Sequence, residues 1–73
     1  TGPLVSKVDL NCVTLLLIEL STESRSRRLR AITMAECMNL VPNISGALIE
    51  RLQDKDHLVR ASTAAALHGC DRA

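Results

Sequence analysis

The chain has 73 residues, a formal net charge of +1 and no aromatic residue, although 47% of its residues are hydrophobic. A chain of this length forms one small structural unit, and its balanced charge, with a pI near 7.7, argues against nucleic acid or an acidic membrane as the default partner. The aliphatic composition argues against a sheet-rich fold, in which aromatic and β-branched residues are abundant. We therefore expect an all-α protein.

The three cysteines, Cys12, Cys37 and Cys70, are odd in number and lie far apart in the sequence. They contain no Cys-x-x-Cys pair, so neither a disulfide framework nor a zinc site is indicated. Free thiols packed as small hydrophobic side chains, in a reducing cytoplasmic compartment, fit this pattern best. The longest apolar run covers residues 15–18, far short of the ~18 to 20 residues that span a bilayer, so no membrane is predicted. Because the chain starts without methionine, we expect it to be a piece of a longer protein.

A first helix is predicted over about residues 6–20, where apolar side chains surround almost the whole helix. Ser6 and Asp9 form an approximate capping box at its start. Two interpretations are open. The helix lies at the centre of a core, or it exposes a face on which a preceding repeat or a partner docks.

The second and third helices are predicted over about residues 24–40 and 43–53. The segment Val41 to Asn43 stops the second helix, because the residue before a proline is pushed away from helical geometry. Asn43 is a good N-cap for the third helix. Gly46 weakens that helix by up to ~1 kcal/mol relative to alanine.

The fourth helix is predicted over about residues 56–68, with Asp56 as its N-cap and Gly69 at the place of a C-terminal cap. Leu29-Arg30-Ala31 matches Val59-Arg60-Ala61 at a spacing of about 30 residues. A period of this length, with a helix, a turn and a helix in each unit, is typical of an α-solenoid. We therefore expect a solenoid fragment of two stacked helical hairpins.

The second hairpin carries a family pattern. The residues Leu-Ile-x-x-Leu-x-Asp-x-Asp-x-x-Val-Arg-x-x-Thr-Ala-x-Ala-Leu-x-Gly, within residues 44–69, resemble a HEAT repeat of the short, lyase-like class. The resemblance implies a regular repeat over residues 42–70 after a degenerate repeat over residues 4–41, which together make one unit over residues 1–73. In the degenerate repeat Ser24 stands where the aspartate belongs.

The resemblance also implies a structural role for two residues. In HEAT-like proteins an acidic turn residue and an arginine form a polar ladder that links adjacent layers. The positions of this chain that match are Asp54 and, six residues later, Arg60. An exposed pair of this kind contributes ~0 to 1 kcal/mol to the free energy of unfolding.

No catalytic or metal site is predicted. His57 and His68 have no carboxylate or cysteine at ligand spacing on the same face, so we expect no metal ligand. The sequence contains no serine nucleophile motif, no phosphate-binding glycine loop and no close carboxylate pair. We therefore expect no enzyme activity and no cofactor.

Four arginines, Arg25, Arg27, Arg28 and Arg30, fall within six residues at the start of the second predicted helix. Positive charge is unfavourable there, because a helix N-terminus itself carries about half a positive charge. The cluster is a candidate anion or partner contact, since guanidinium groups match phosphate and carboxylate. The other interpretation is a solvated surface cluster. At ~100° per residue Arg25 and Arg28 point to one side and Arg27 and Arg30 to another, so the four form no continuous stripe.

The sequence favours a non-catalytic protein-interaction or scaffold module. Its partners would be another protein or adjacent repeats, and the isolated chain would either self-associate or need neighbouring repeats. One alternative is binding to the phosphate backbone of a nucleic acid through residues 25–30. The resemblance implies a second alternative, in which the chain is part of a bilin-lyase-like or chaperone-like HEAT protein.

Overall fold

The computed structural model describes residues 7–72, and the side chains of residues 11–70. This part of the chain contains four α-helices and no strand: α1 (Lys7–Leu20), α2 (Arg25–Cys37), α3 (Ser45–Arg51) and α4 (His57–Arg72). A short 3-10 helix, Val41–Ile44, precedes α3. The predicted all-α fold and its four helices are confirmed. The structure does not test the predicted capping box, because Ser6, the residues before it and the side chain of Asp9 lie outside the described part of the chain.

Helix α2 lies at the centre of the packing. It contacts both α1 and α4, and α3 packs against α4. The narrowest extent of the molecule is 18 Å, which is about two helices deep. The core between the helices is formed by Leu16, Leu20, Ala31, Ile32, Ala35, Leu40, Val41, Ile44, Leu48, Val59 and Ala66.

Helix α1 buries only one side. Leu16 and Leu20, four residues apart and therefore on one face, are 4% and 2% exposed. In contrast, Leu15 and Ile18 are 60% and 57% exposed, and Leu17 is 39% exposed. The interpretation of α1 as a central core helix is therefore wrong, and its apolar outer side faces solvent.

Helix α2 ends at Cys37, three residues before the predicted end at Leu40. Asn39 has a φ of 57°, in the left-handed region that asparagine adopts more readily than most residues. Its N–H donates to Glu36 O at 3.2 Å, and the N–H of Leu40 donates to Ala35 O at 2.9 Å. These two bonds close a Schellman motif, and the buried side chains of Leu40 and Ala35 supply its apolar contact.

The third helix is shorter than predicted and has a different start. Asn43 is not its N-cap, because this residue lies inside the 3-10 helix and α3 begins only after it, without a side-chain cap. The Asn43 N–H donates to Leu40 O at 2.9 Å, so a 3-10 hydrogen bond satisfies this donor. Pro42 lies in the first turn of the 3-10 helix, where its missing N–H leaves no bond unmade.

Helix α4 continues to Arg72 instead of ending near residue 68. Gly69 is not a C-terminal cap, because it lies inside the helix and has no left-handed φ. The next residue, Cys70, is half-buried and packs against the core. This contact offsets the ~1 kcal/mol by which a glycine disfavours a helix interior.

We expect Gly46→Ala and Gly69→Ala each to raise the free energy of unfolding by about 0.5–1 kcal/mol, because alanine loses less conformational entropy in a helix. Both glycines are exposed, neither has a left-handed φ, and an added Cβ meets nothing within 4 Å. Thermal unfolding followed by circular dichroism should show a higher Tm, by about 4–8 °C per kcal/mol in a domain of this size. A lower Tm for either variant would contradict the packing described here.

Helices α2 and α4 begin in the same way. Ser24 Oγ accepts the N–H of Arg27 at 3.3 Å, and Asp56 Oδ1 accepts the N–H of Val59 at 3.2 Å. Both are N-cap contacts to the third residue of the helix, and the predicted role of Asp56 is confirmed. Ser24 and Asp56 are therefore at equivalent positions in the two hairpins, whereas the predicted spacing of 30 residues makes Ser24 equivalent to Asp54.

Candidate interaction surface

A buried ion pair connects α2 to the turn between α3 and α4. Arg28 Nη2 donates to Asp54 Oδ1 at 3.1 Å, and Arg28 Nε lies 2.9 Å from Oδ2. The Nε–H is not aligned for a hydrogen bond, so this second contact is a charge pair. Arg28 Nη1 donates to Thr22 O at 2.8 Å. Since the Arg28 and Asp54 side chains are 4% and 2% exposed, Arg28 is not available to an external anion.

The predicted contact between Asp54 and Arg60 is made by the backbone of Asp54, not by its carboxylate. Arg60 Nη1 donates to the Asp54 carbonyl oxygen, just as Arg28 donates to the carbonyl oxygen six residues before it. The carboxylate binds Arg28 of the first hairpin instead, and Arg51 Nη1 lies 3.4 Å from its Oδ2. The predicted ladder is therefore corrected, because the arginine that pairs with the carboxylate comes from 26 residues earlier in the chain.

Two further ion pairs, one partly buried and one exposed, flank the buried pair. Arg25 Nη1 lies 3.5 Å from Asp56 Oδ2, and Lys55 Nζ lies 3.0 Å from Glu23 Oε2. Partial burial raises the pKa of Asp56, but the backbone N–H groups of residues 59 and 58 and the charge of Arg25 outweigh it and hold the pKa below its usual value. The hydrogen bond and charge of Lys55 lower the pKa of Glu23. Arg25 is thus engaged by a carboxylate of the second hairpin.

The other two arginines of the cluster, Arg27 and Arg30, lie on a different side of α2. Both are exposed, and neither forms an ion pair with a residue that the structure describes. The predicted division of the four arginines into two directions is therefore confirmed. Arg27 and Arg30 line a groove between α1 and α2, the α1–α2 groove, whose walls are formed by Cys12, Leu15, Leu16, Glu19, Arg27, Arg30, Ala31, Met34 and Met38.

The α1–α2 groove is polar at one end and apolar at the other. Glu19 and Arg27 lie at the end near the turn between the two helices, and Met38 lies at the far end. Met34 and Met38 are 46% and 39% exposed, and Leu15 on the facing helix is 60% exposed. The groove volume of about 230 Å³ is smaller than the ~300–1,000 Å³ of typical small-molecule sites. Its size fits a few inserted side chains better than a cofactor or a metabolite.

Glu19 supplies the negative charge in the groove wall. Its Oε2 atom is buried and has no hydrogen-bond partner. Because Arg27 and Arg30 carry two positive charges and Glu19 carries one negative charge, the polar end has a formal charge of +1. This end therefore favours an anionic group.

A second depression, of about 370 Å³, lies between the end of α2, the 3-10 helix and α4. Its walls are formed by Glu36, Asn39, Val41, Pro42, Ala66, Gly69 and Cys70. It contains none of the large apolar side chains that the described part of the chain leaves exposed. It is the weaker candidate for binding a partner.

The two histidines are exposed, and the three cysteines differ in burial. His57 and His68 are exposed, and no group of three His, Cys, Asp or Glu among the described residues could hold a metal ion. Cys12 and Cys70 are half-buried against the core, whereas Cys37 is exposed, which corrects the expectation that all three are packed. Within residues 7–72 no helix is long and apolar enough to cross a membrane.

The sequence did not predict the Arg28–Asp54 pair or the α1–α2 groove. The sequence does contain a signal for the position of Arg28. It follows Thr22 by six residues, as Arg60 follows Asp54, and each arginine donates to the carbonyl oxygen six residues before it. A signal for the groove is the spacing of three or four residues between its members on each helix. No family model, curated protein or solved structure matches the chain, so the HEAT-like resemblance stays a prediction.

Proposed function

We propose that this chain is a non-catalytic protein-interaction or scaffold module that binds a protein partner through the α1–α2 groove. The observation that carries the proposal is the exposure of large apolar side chains along and beside this groove. Leu15 and Ile18 are more than half exposed, and Met34 and Met38 are more than a third exposed. Contiguous exposed apolar surface of this kind marks interaction sites in soluble proteins.

The energetics of burial support a partner at this surface. Fully burying one Leu, Ile or Met side chain is worth about 1.5–3 kcal/mol. Methionine side chains adapt their shape to a partner, and arginines such as Arg27 and Arg30 are enriched at protein interfaces. A partner that covers the groove gains from the apolar contacts and from the charges at the rim.

A second apolar surface supports the scaffold part of the proposal. Ile49, Leu52 and Leu58 of the second hairpin are 57%, 37% and 42% exposed. Units of a helical repeat protein cover such surfaces by stacking on their neighbours. Adjacent repeats or a second copy of the chain would bury this surface, while the groove binds the partner.

Binding to nucleic acid is the second candidate, and the unpaired guanidinium groups of Arg27 and Arg30 favour it. Arg25 and Arg28 are engaged by Asp56 and Asp54, so two arginines of the cluster are available. Two phosphate contacts correspond to a slope of about −1.8 for log K against log salt on duplex DNA. Two phosphate contacts contribute less to binding than burial of the apolar side chains of the same groove would.

We expect the double variant Leu15→Gln with Met34→Gln to bind the partner at least about tenfold more weakly, because it removes two apolar contacts. The partner is to be captured with the tagged chain, identified by mass spectrometry and rebuilt from purified components for isothermal titration calorimetry. Ile49→Gln is the control, since Ile49, at 57%, is about as exposed as Leu15, at 60%, but lies on the other hairpin and does not line the groove. Its affinity should equal that of the unmodified chain.

Equal affinity of the three proteins would contradict the proposed role of the groove. Capture that disappears on nuclease treatment would favour nucleic acid instead. In that case duplex binding should fall with salt at a slope of about −1.8 for log K against log salt, and it should fall on Arg27→Ala with Arg30→Ala.

A further inference from the structure

We infer that the segment that occupies the α1–α2 groove is an acidic, amphipathic helix of another protein. Its apolar side chains would lie at the methionine end of the groove, and a carboxylate would lie at the arginine end. This inference rests on the proposed function. It adds the secondary structure, the charge and the direction of the partner segment.

The shape of the groove fits a helix. Its lining on α2 runs from Arg27 to Met38, which corresponds to about 16 Å, or three helical turns. A helix bound in such a groove inserts side chains spaced three, four and seven residues apart, and its backbone lies above the groove. The small volume of about 230 Å³ agrees with this mode, because only side chains need to enter.

The charges of the groove fit a carboxylate. Arg27 and Arg30 are three residues apart and therefore neighbours on the surface of α2, and neither has a carboxylate partner among the described residues. A guanidinium group binds a carboxylate through two parallel hydrogen bonds. A basic helix would instead bring like charges together, which is unfavourable at an interface. The net charge of +1, after Glu19 is counted, selects the acidic helix.

A second copy of the chain fits the groove less well. Helix α3 exposes Ile49 beside Glu50, but it has 7 residues and ends at Arg51. Its length is about 11 Å, shorter than the groove, and the arginine adds a like charge near Arg27 and Arg30. A segment of a different protein therefore fits the groove better than α3 of a second copy.

The test is a selection from a displayed library of helical peptides, with the complete 73-residue chain as the target. Peptides of about 18 residues are long enough to form a helix, and their surface positions are randomised. Enriched peptides are then titrated into chain labelled with ¹³C at the methionine methyl groups. The chain has two methionines, Met34 and Met38, and both line the groove, so both NMR signals report on it. Because the chain has no aromatic residue, the fluorescence of one tryptophan in the peptide measures affinity without background.

We expect the enriched peptides to carry Asp or Glu about two to three turns from Leu or Ile, and to shift both methionine signals. Arg27→Gln with Arg30→Gln should weaken their binding about tenfold. Glu19→Gln should strengthen it about two- to fivefold, because it removes a like charge. Arg25→Gln, whose guanidinium pairs with Asp56 outside the groove, is the matched control and should change nothing.

Opposite effects of the arginine and glutamate variants cannot result from general damage to the fold. Peptides that shift both methionine signals without any preference for acidic residues would overturn this inference and leave the proposed function standing. Peptides that bind without shifting either signal, or no enrichment at all, would overturn both. If the chain alone dimerises in sedimentation experiments and Arg27→Gln with Arg30→Gln abolishes the dimer, the occupant is a second copy and the inference is overturned.

Discussion

Asp54→Ala should lower the free energy of unfolding by about 3–5 kcal/mol, because it leaves the charge of Arg28 buried without a partner. The two side chains are 4% and 2% exposed, so the intact ion pair is shielded from water. A chain of 73 residues is typically stable by roughly 4–11 kcal/mol, so the loss is a large fraction of the total. Urea unfolding followed by circular dichroism measures it. An exposed pair of Asp54 with Arg60, as the sequence predicts, would lose only ~0 to 1 kcal/mol.

Three further variants show whether the loss of stability comes from the unpaired charge of Arg28. Asp54→Asn keeps the oxygen that accepts the Asp56 N–H at 2.9 Å but removes the charge, and it should remain strongly destabilised. Adding Arg28→Met to it removes the orphaned charge and should recover much of the stability. Glu23→Gln breaks the exposed pair with Lys55 and should leave the urea midpoint unchanged. Equal midpoints for Asp54→Ala and Glu23→Gln would show that the buried pair does not stabilise the fold.

Leu48→Ala should lower the free energy of unfolding by about 2–5 kcal/mol, because it removes buried methyl groups and leaves a cavity. Leu48 is 0% exposed and belongs to the core between α3 and its neighbours. Ile49→Ala is the matched control on the same helix, since Ile49 is 57% exposed. Its unfolding free energy should stay within about 0.5 kcal/mol of the original. Urea unfolding at equal protein concentration compares the two, and a similar loss for both would contradict the assignment of the buried face.

The helices could be predicted from the sequence because their signals are local. Apolar spacing and N-cap residues such as Asp56 act within one or two turns, and the structure places four helices close to their predicted ranges. The helix ends were less accurate. Asn39 ends α2 through its left-handed φ, a local signal that the prediction did not use. Cys70, just beyond Gly69, packs against the core, and this tertiary contact is absent from the local sequence pattern.

The candidate site was predicted only in part. The angle between successive residues correctly separated Arg27 and Arg30 from the other two arginines. This angle could not show which other elements of the fold face each pair of arginines. The partner of Arg28 comes from 26 residues away, and no local pattern contains that contact. For the same reason, apolar spacing along α1 predicted a helix but did not predict which side α2 covers.

The Arg28–Asp54 pair has a consequence for the modularity of the chain. The cation belongs to the first hairpin and the anion to the second, so this pair forms only when both hairpins are present. Exchanging the second hairpin for one without this carboxylate would leave Arg28 uncompensated in the buried interface, which is strongly destabilising. The smallest segment that could be transferred intact between proteins is therefore the pair of hairpins.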